Sequence, residues 1–281
     1  MGFDIDKYTA RTKRLCWDDL DLSAFSRQPL GEEVLGCLRY MHDVEFHTAC
    51  YLRDLLVTPA HADPEVTAFL AMWAYEEYWH GEALAAVLEV HGDTAGASRV
   101  ATLRAGLGWR DRLRPLVMTL AGWADGSRLV ALQMAWGMLN ESLTQAGYQL
   151  LAERAEHPVL AELLERIVRQ EALHLGFYSS QARSRLEGDG ATQRFVRRWL
   201  SRLWQPVGSG LMPPAETEAL YGYLLKGSGA AERCRRMDRR LASLPGLAGL
   251  DLVTKALGKY LEPAGSAPQA GTGEPLLSLA G

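Results

Sequence analysis

Two short stretches of the sequence carry the same motif, EYWH at residues 77–80 and EALH at residues 171–174. In each stretch a glutamate precedes a histidine by three positions, so both side chains lie on one face of a helix. Each stretch follows another helical segment with a glutamate on its apolar face, Glu45 in the first case and Glu141 in the second. Four carboxylates and two imidazoles distributed in this way are the ligands of a dinuclear metal site in a four-helix bundle. The sequence therefore predicts an all-α fold.

The predicted ligands interrupt stripes that are otherwise apolar, and Glu141 is the only acid between Ser127 and Leu151. Burying one carboxylate without a partner costs several kcal/mol, and four together would repel one another. Two divalent cations would neutralise them, and oxygen and imidazole ligands suit iron or manganese. An alternative remains, in which these groups face solvent or pair with arginines. The predicted metal ligands are Glu45, Glu77, His80, Glu141, Glu171 and His174.

Helix start and stop signals divide the chain. The first long helix is predicted from Gly31 to about Val57, the second from Asp63-Pro64 to about Val90, the third from Ser127 to about Ala155, and the fourth from Pro158 to about Leu186. Residues 97–123 contain Gly106, Gly108 and Pro115, which predicts a crossover with a shorter helix or two.

The same signals give four predicted regions. Residues 1–30 form an N-terminal segment and residues 31–187 the bundle. Residues 188–261 form a helical extension packed on the bundle, with helices near 191–204, 215–226, 229–243 and 248–261. Residues 262–281 are rich in Gly, Pro, Ser and Ala, which predicts a disordered tail.

Bulk properties exclude several classes of protein. The net charge of −4 gives no global basic footprint for nucleic acid. The four cysteines are scattered without a Cys-x-x-Cys, which argues against a zinc or iron–sulfur centre and favours a reducing cytoplasm. The N-terminus has no apolar signal segment, and no apolar run is long enough to predict a membrane span. We therefore expect a cytoplasmic protein.

Other polar residues near the predicted ligands are weaker candidates. Thr144 lies one turn after Glu141 and is a candidate to bind a water or an oxygen species at the metals, although a hydroxyl at such a position is about as often only packed. Tyr148 and Tyr178 are candidates to donate hydrogen bonds to the ligands, or are core residues. His42 and His47 flank Glu45, and either is a candidate to face the pocket, although surface positions are favoured. Asp43 is predicted on the more polar side of its helix.

At these residues the chain resembles the soluble acyl-acyl carrier protein desaturases of the ferritin-like di-iron carboxylate superfamily. WAYEEYWHG (73–81) is similar to that family's second-helix motif, an aromatic residue followed by Glu-Glu-x-x-His-Gly. RIVRQEALH (166–174) resembles the fourth-helix motif, and ESLT (141–144) resembles the third-helix glutamate with a threonine one turn later. The resemblance covers about residues 30–187 and departs at Gln170, where the family usually has an acid.

The resemblance implies a ferritin-like four-helix bundle with a long crossover and additional C-terminal helices. It implies two iron ions, with manganese as an alternative, and O₂-dependent desaturation of a fatty-acyl chain on acyl carrier protein. Electrons would come from a ferredoxin-type donor, and homodimers occur in the family. Two clusters of arginines are candidates to dock an acidic partner, or are only solvated basic faces: Arg194, Arg197, Arg198 and Arg202, and Arg235, Arg236, Arg239 and Arg240.

Three other readings keep the ligand pattern. The first is a di-iron hydroxylase or N-oxygenase of a small or carrier-bound metabolite, a class that often has a histidine where this chain has Ile167. The second is a non-catalytic ferritin-like iron-binding protein, against which the helices after residue 187 argue. The third, a ribonucleotide-reductase radical subunit, usually has an aspartate in place of Glu45. An apolar channel that ends at the metals would favour acyl substrates, whereas a short polar pocket would favour hydroxylation.

Overall fold

A computed structural model describes residues 2–227 and 229–261. Within those residues all regular structure is helical and there is no β-strand, so the all-α prediction is confirmed. The helices are α1 (Ile5–Arg11), α2 (Ala24–Arg27), α3 (Glu32–Leu56), α4 (Pro64–Val90), α5 (Gly96–Ala105), α6 (Trp109–Ala155), α7 (Pro158–Leu186), α8 (Gly190–Leu203), α9 (Pro214–Leu224), α10 (Gly229–Ala242) and α11 (Leu252–Leu257). Short 3₁₀ turns occupy Pro59–Ala62 and Gly258–Tyr260.

Four long helices, α3, α4, α6 and α7, pack around one core. α3 lies against α4 and α6 lies against α7, while α3 also contacts α6 and α4 contacts α7. Leu38, Leu84, Met138 and Leu164, one from each helix, are fully buried. Burying such a side chain stabilises the fold by about 1.5–3 kcal/mol. The apolar stripes read from the sequence therefore meet in one interior.

Two of the long helices begin where the sequence predicts. At α4 the Asp63 carboxylate accepts hydrogen bonds from the backbone N–H groups of Glu65 (3.0 Å) and Val66 (3.2 Å), and Pro64 occupies the first helical position. At α7 Pro158 takes the same position after His157. Proline is favoured there because the first N–H groups of a helix have no partner inside it.

The third long helix also begins close to its predicted start. α6 is divided by a kink at Asp125, where φ is −160° and ψ is 66°, so its second part begins within two residues of Ser127. Its first part, from Trp109, and α5 are the short helices predicted for the crossover. Pro115 lies inside α6 and cannot donate a hydrogen bond to the Asp111 carbonyl one turn earlier. The Arg53 side chain donates to that carbonyl instead, at 3.4 Å. This external donor helps to keep the helix continuous across the proline.

The helices after residue 187 pack on the long helices. α8 contacts α6 and α7, α9 contacts α3 and α6, and α10 contacts α6 and α11. The last predicted helix, 248–261, is shorter than expected, because Gly249 has a φ of +76° and α11 begins only at Leu252. The division of the chain into regions stays a prediction, and the predicted disordered tail lies outside the described residues.

None of the helices in the described stretches is both long enough and apolar enough to span a bilayer.

Candidate metal centre

The structure brings all six predicted ligands together in the interior of the four long helices, where each is buried. They form two overlapping groups, and within each group the potential ligand atoms lie within 4.8 Å of one another. One group contains Glu45, Glu77, His80 and Glu171, and the other contains Glu77, Glu141, Glu171 and His174. Glu77 and Glu171 belong to both groups. The arrangement is therefore two adjacent four-ligand positions with two shared carboxylates.

Both histidines turn Nδ1 toward the carboxylates. His174 Nδ1 lies 3.0 Å from Glu77 Oε1 and 3.2 Å from Glu171 Oε2. His80 Nδ1 lies 3.3 Å from Glu171 Oε1 and 4.0 Å from Glu45 Oε2. Each imidazole thus presents one nitrogen to the cluster, and its Nε2 is available for a partner outside it.

The outer partner of each histidine comes from the opposite copy of the motif. His174 Nε2 on α7 lies 2.9 Å from Glu76 Oε2 on α4, and His80 Nε2 on α4 lies 3.0 Å from Gln170 Oε1 on α7. Such outer hydrogen bonds fix the ring orientation and the tautomer of a metal-binding histidine. The sequence showed Gln170 only as a departure from the family. Gln170 and Glu76 occupy the same position, directly before the glutamate of each motif. That shared position was the signal that could have predicted their hydrogen bonds to the histidines of the opposite motif.

The N-terminal helix also reaches the centre, which the sequence did not predict. Tyr8 on α1 donates a hydrogen bond from its hydroxyl to Glu76 Oε2 at 2.8 Å. Burial and the adjacent carboxylate raise the pKa of Tyr8, so the phenol keeps its proton. No pattern around Tyr8 distinguishes it from any other aromatic residue on an apolar helix face.

The electrostatics of the cluster follow from burial. Burial and then repulsion from neighbouring carboxylates raise the pKa of Glu77 and of Glu141 well above 4.5. Burial also raises the pKa of Glu171, but hydrogen bonds from the two histidines outweigh that effect and lower it. Burial alone would lower the pKa of His174, yet hydrogen bonds to Glu171 and Glu76 raise it to about 10. Without cations, the cluster approaches neutrality by binding protons.

Four buried polar atoms test whether metal ions fit this centre. Glu45 Oε2, Glu77 Oε1, His80 Nδ1 and Glu171 Oε1 have no hydrogen-bond partner, and all four belong to the cluster. An unpaired buried polar atom costs about 1–3 kcal/mol. Among the described residues no arginine or lysine forms an ion pair with a carboxylate of the cluster. These oxygen and nitrogen atoms can therefore hold metal ions, and the donor set suits iron or manganese.

Two tyrosines and Thr144 surround the ligands. The Tyr148 hydroxyl donates to Glu45 Oε1, which leaves Oε2 of the same carboxylate without a hydrogen-bond partner. Tyr178 packs against Trp73 in an edge-to-face contact. Thr144 and Glu45 both lie in the wall of a cavity. Its predicted catalytic role stays a prediction.

That cavity has a volume of about 600 Å³ and extends from the cluster toward α8. Glu45, Glu77 and Glu141 line its inner end. The rest of the wall is mainly apolar and includes Met118, Leu129, Leu132, Trp136, Phe195 and Trp199. Val117 and Leu203 line the cavity and are 60% and 52% exposed, so the opening lies between α6 and α8. An apolar molecule could reach the cluster by this path.

The predicted surface positions of two histidines are wrong. His42 is fully buried, with Nδ1 2.9 Å from Asp43 and Nε2 accepting a hydrogen bond from the Gly96 N–H. Asp43 is also buried and forms an ion pair with Arg99 at 2.6 Å. The reason is that α5 of the crossover covers this face of α3. His47 is buried too, which lowers its pKa to about 4, and neither histidine is part of the metal-binding groups.

Comparison with protein-family models, with curated proteins and with solved structures finds no match to this chain. What the centre can do follows from its own atoms. Its two overlapping groups of carboxylate and imidazole atoms could hold a metal ion, and three of the carboxylates line an apolar cavity.

Proposed function

We propose that the chain is an O₂-dependent oxidoreductase with a pair of iron ions, of the ferritin-like di-iron carboxylate superfamily. We propose further that it desaturates a fatty-acyl chain or a related carrier-bound chain in the cytoplasm. The observation that carries the proposal is the 600 Å³ apolar cavity, because it ends at three carboxylates of the buried cluster. Cavities of about 300–1,000 Å³ are typical of small-molecule sites.

In this proposal Glu45 and His80 would hold one ion and Glu141 and His174 the other, with Glu77 and Glu171 within reach of both. When bound, a reduced iron pair would supply the capacity to activate dioxygen for removal of hydrogen from an unactivated C–H bond. Desaturation removes two hydrogens from the substrate. With two electrons and two protons from outside, one O₂ becomes two waters. The chain carries no flavin or iron–sulfur motif, so a ferredoxin-type partner would supply the electrons.

The residues of the chain have defined tasks. Glu76 and Gln170 hold the two imidazoles by Nε2, so that Nδ1 faces the carboxylates and would be free to bind an ion. Tyr148 holds one oxygen of Glu45 by a hydrogen bond. The apolar wall orients the substrate chain and excludes water, which protects the reacting carbon atoms from competing reactions. Thr144, next to Glu45 in that wall, would hold a water or an oxygen species by its hydroxyl.

Two features of helix α8 favour the proposal that an acidic carrier protein delivers the substrate. Its inner side lines the cavity with Phe195 and Trp199. Its exposed arginines Arg194, Arg198 and Arg202 are spaced by four residues, which places them on one face of the helix. Arg197 is not part of this face, because its guanidinium donates hydrogen bonds to the carbonyl groups of residues 246 and 248. Positive charge beside the cavity opening would attract the acidic carrier.

The proposal is tested first by metal analysis. We expect about two iron ions per chain, and fewer in Glu77→Ala and His174→Ala proteins. Full metal content in both variants would remove the basis of the proposal. Turnover with reduced ferredoxin and a panel of acyl carrier protein thioesters is then followed by mass spectrometry. Loss of two hydrogens identifies a desaturase, and gain of one oxygen atom identifies a hydroxylase. Iron binding without turnover of any thioester or free metabolite would leave a non-catalytic iron-binding protein.

A further inference from the structure

The first residues of the chain lie across the two helices that carry the Glu-x-x-His motifs. We call residues 3–19 the N-terminal strap, and its helix α1 contacts α4. At one end of the strap the Phe3 N–H donates a hydrogen bond to Ser180 Oγ on α7 at 3.1 Å. Near the other end the Trp17 ring lies 6.2 Å from the Trp79 ring on α4. The strap therefore covers the seam between α4 and α7.

Tyr8 links the strap to one of the two histidines. Its hydroxyl donates a hydrogen bond to Glu76 Oε2 at 2.8 Å, and the same oxygen lies 2.9 Å from His174 Nε2. Tyr8 is buried, and its ring also packs against Phe69 on α4. Rotation of the His174 ring would break its contact with Glu76, and Tyr8 holds Glu76 in the position that makes this contact.

Gln170 links the strap to the other histidine. Gln170 Oε1 lies 3.0 Å from His80 Nε2, and Gln170 Nε2 donates to the Lys13 carbonyl oxygen in the strap at 3.0 Å. One side-chain amide thus joins the imidazole ring to the backbone of the strap. Because an amide oxygen can only accept a hydrogen bond, His80 donates from Nε2, and its Nδ1 carries the lone pair that a metal ion needs.

Contacts near the protein surface fasten the strap. The guanidinium of Arg166 on α7 donates to both carboxylate oxygens of Asp19, at 2.6 Å and 2.8 Å, and to the Cys16 carbonyl oxygen at 3.0 Å. Arg14 in the strap lies over the Trp79 ring of α4, 4.6 Å from its centre. The Asp19 side chain is 63% exposed, so this fastening can open without disrupting the core.

A metal ion needs a path from water to the buried ligands. The wall of the cavity between α6 and α8 is mainly apolar, and a cation that leaves water for an apolar passage loses its hydration without compensation. The seam beneath the strap instead carries oxygen atoms, which suit iron and manganese ions. These oxygen atoms belong to Tyr8, Lys13, Glu76 and Gln170. The seam is therefore the better path for a cation.

We propose that the N-terminal strap is the gate through which metal ions enter and leave the centre, and that its opening sets the rate of their exchange. The proposal rests on the metal binding in the proposed function, but not on the reaction. When the strap lifts, Glu76 and Gln170 each lose a hydrogen-bond partner. The two imidazole rings can then turn and expose the carboxylates behind them to water. When the strap closes, both rings are again held with Nδ1 toward the carboxylates.

The test compares two arginines of α7 that both form ion pairs with Glu162. Arg166 also bonds to the strap, whereas the second ion pair of Arg169 is with Glu165. In the full-length Arg166→Ala protein, release of bound Mn²⁺ to a chelator should be about 3- to 10-fold faster than in the wild type. Uptake by the metal-free protein should accelerate by the same factor, because an open gate serves both directions, so Kd should change less than about 2-fold. Arg169→Ala is the matched control and should leave both rates unchanged.

Hydrogen exchange measures the opening of the strap directly. A peptide that covers residues 5–16 should exchange faster in Arg166→Ala than in Arg169→Ala. No increase in its exchange overturns the proposal, and so do unchanged metal-exchange rates in a loosened strap, which would assign the entrance to the apolar cavity. Faster release with unchanged uptake overturns it as well, because the strap would then only position the histidines. A chain that binds no metal removes this proposal and the proposed function together, whereas gated exchange in a chain without turnover removes only the reaction.

Discussion

Loading the metal-free protein with a divalent cation should release about four protons per chain at pH 7. With both imidazoles neutral, the four ligand carboxylates carry four negative charges, which two divalent cations neutralise. Without cations, the buried cluster needs four protons for the same neutrality. Glu77 and Glu141 can hold two of them, since burial raises their pKa well above 4.5. The histidines can hold the other two, since the pKa of His174 is raised to about 10 and that of His80 is also raised.

The measurement is titration calorimetry with Mn²⁺ at pH 7 in buffers of different ionisation enthalpy. The slope of observed enthalpy against buffer enthalpy gives the number of protons released. The number should fall as the pH approaches 10, because His174 then loses its proton before the metal binds. Glu89→Gln, which changes an exposed carboxylate outside the cluster, should leave the number unchanged. A release below about one proton per pair of ions would refute the idea that metal ions replace protons in neutralising the buried carboxylates.

Four further substitutions have defined outcomes. Gly137→Ala should destabilise the fold by about 1–3 kcal/mol in urea unfolding, because its Cβ would lie 2.4 Å from the buried ring of Tyr178. Gly147→Ala on the same helix meets only flexible side-chain ends, a methionine methyl group at 3.4 Å and a leucine methyl group at 3.8 Å, and should be neutral or stabilising by up to about 1 kcal/mol, so equal effects would contradict this packing. Glu76→Gln should weaken metal binding about 10- to 100-fold in chelator competition, and unchanged affinity would contradict its role. Tyr148→Phe should keep the metal content but alter the absorption spectrum of the iron-loaded protein, and an identical spectrum would count against the contact with Glu45.

The four long helices and the six clustered side chains could be predicted because they depend on local patterns. A 3.6-residue period and an Asp-Pro start signal are visible in the sequence without tertiary information. A glutamate such as Glu141, alone in an apolar helix, is equally visible, because a buried acid must have a partner. The apolar stripes that predict the core therefore also predict which glutamates and histidines are buried in it.

The features that the sequence did not reveal depend on distant contacts. Pro115 was a reason to predict a broken crossover, but Arg53 on another helix donates to the carbonyl group that the proline leaves free. His42 was predicted on the surface because nothing near it in sequence indicates that α5 covers it. Tyr8 reaches Glu76 from a helix 68 residues earlier in the chain. Each case is a tertiary contact that overrides a local signal.

Glu76 and Gln170 make the two overlapping ligand groups unequal, because they are different hydrogen-bond partners for the two histidines. His174 has a carboxylate behind its Nε2, whereas His80 has a neutral amide. A carboxylate partner increases the basicity of an imidazole more than an amide does, so His174 should be the stronger donor. Tyr148 adds to this difference, because it holds Glu45, a ligand of the His80 position, by a hydrogen bond. The cavity is lined by Glu45 of one group and by Glu141 of the other, so under our proposal a substrate would be in reach of both. If two ions bind as we propose, the ion held by His80 and Glu45 should be the more weakly bound and the first lost to a chelator, and loss of both ions together would contradict this inequality.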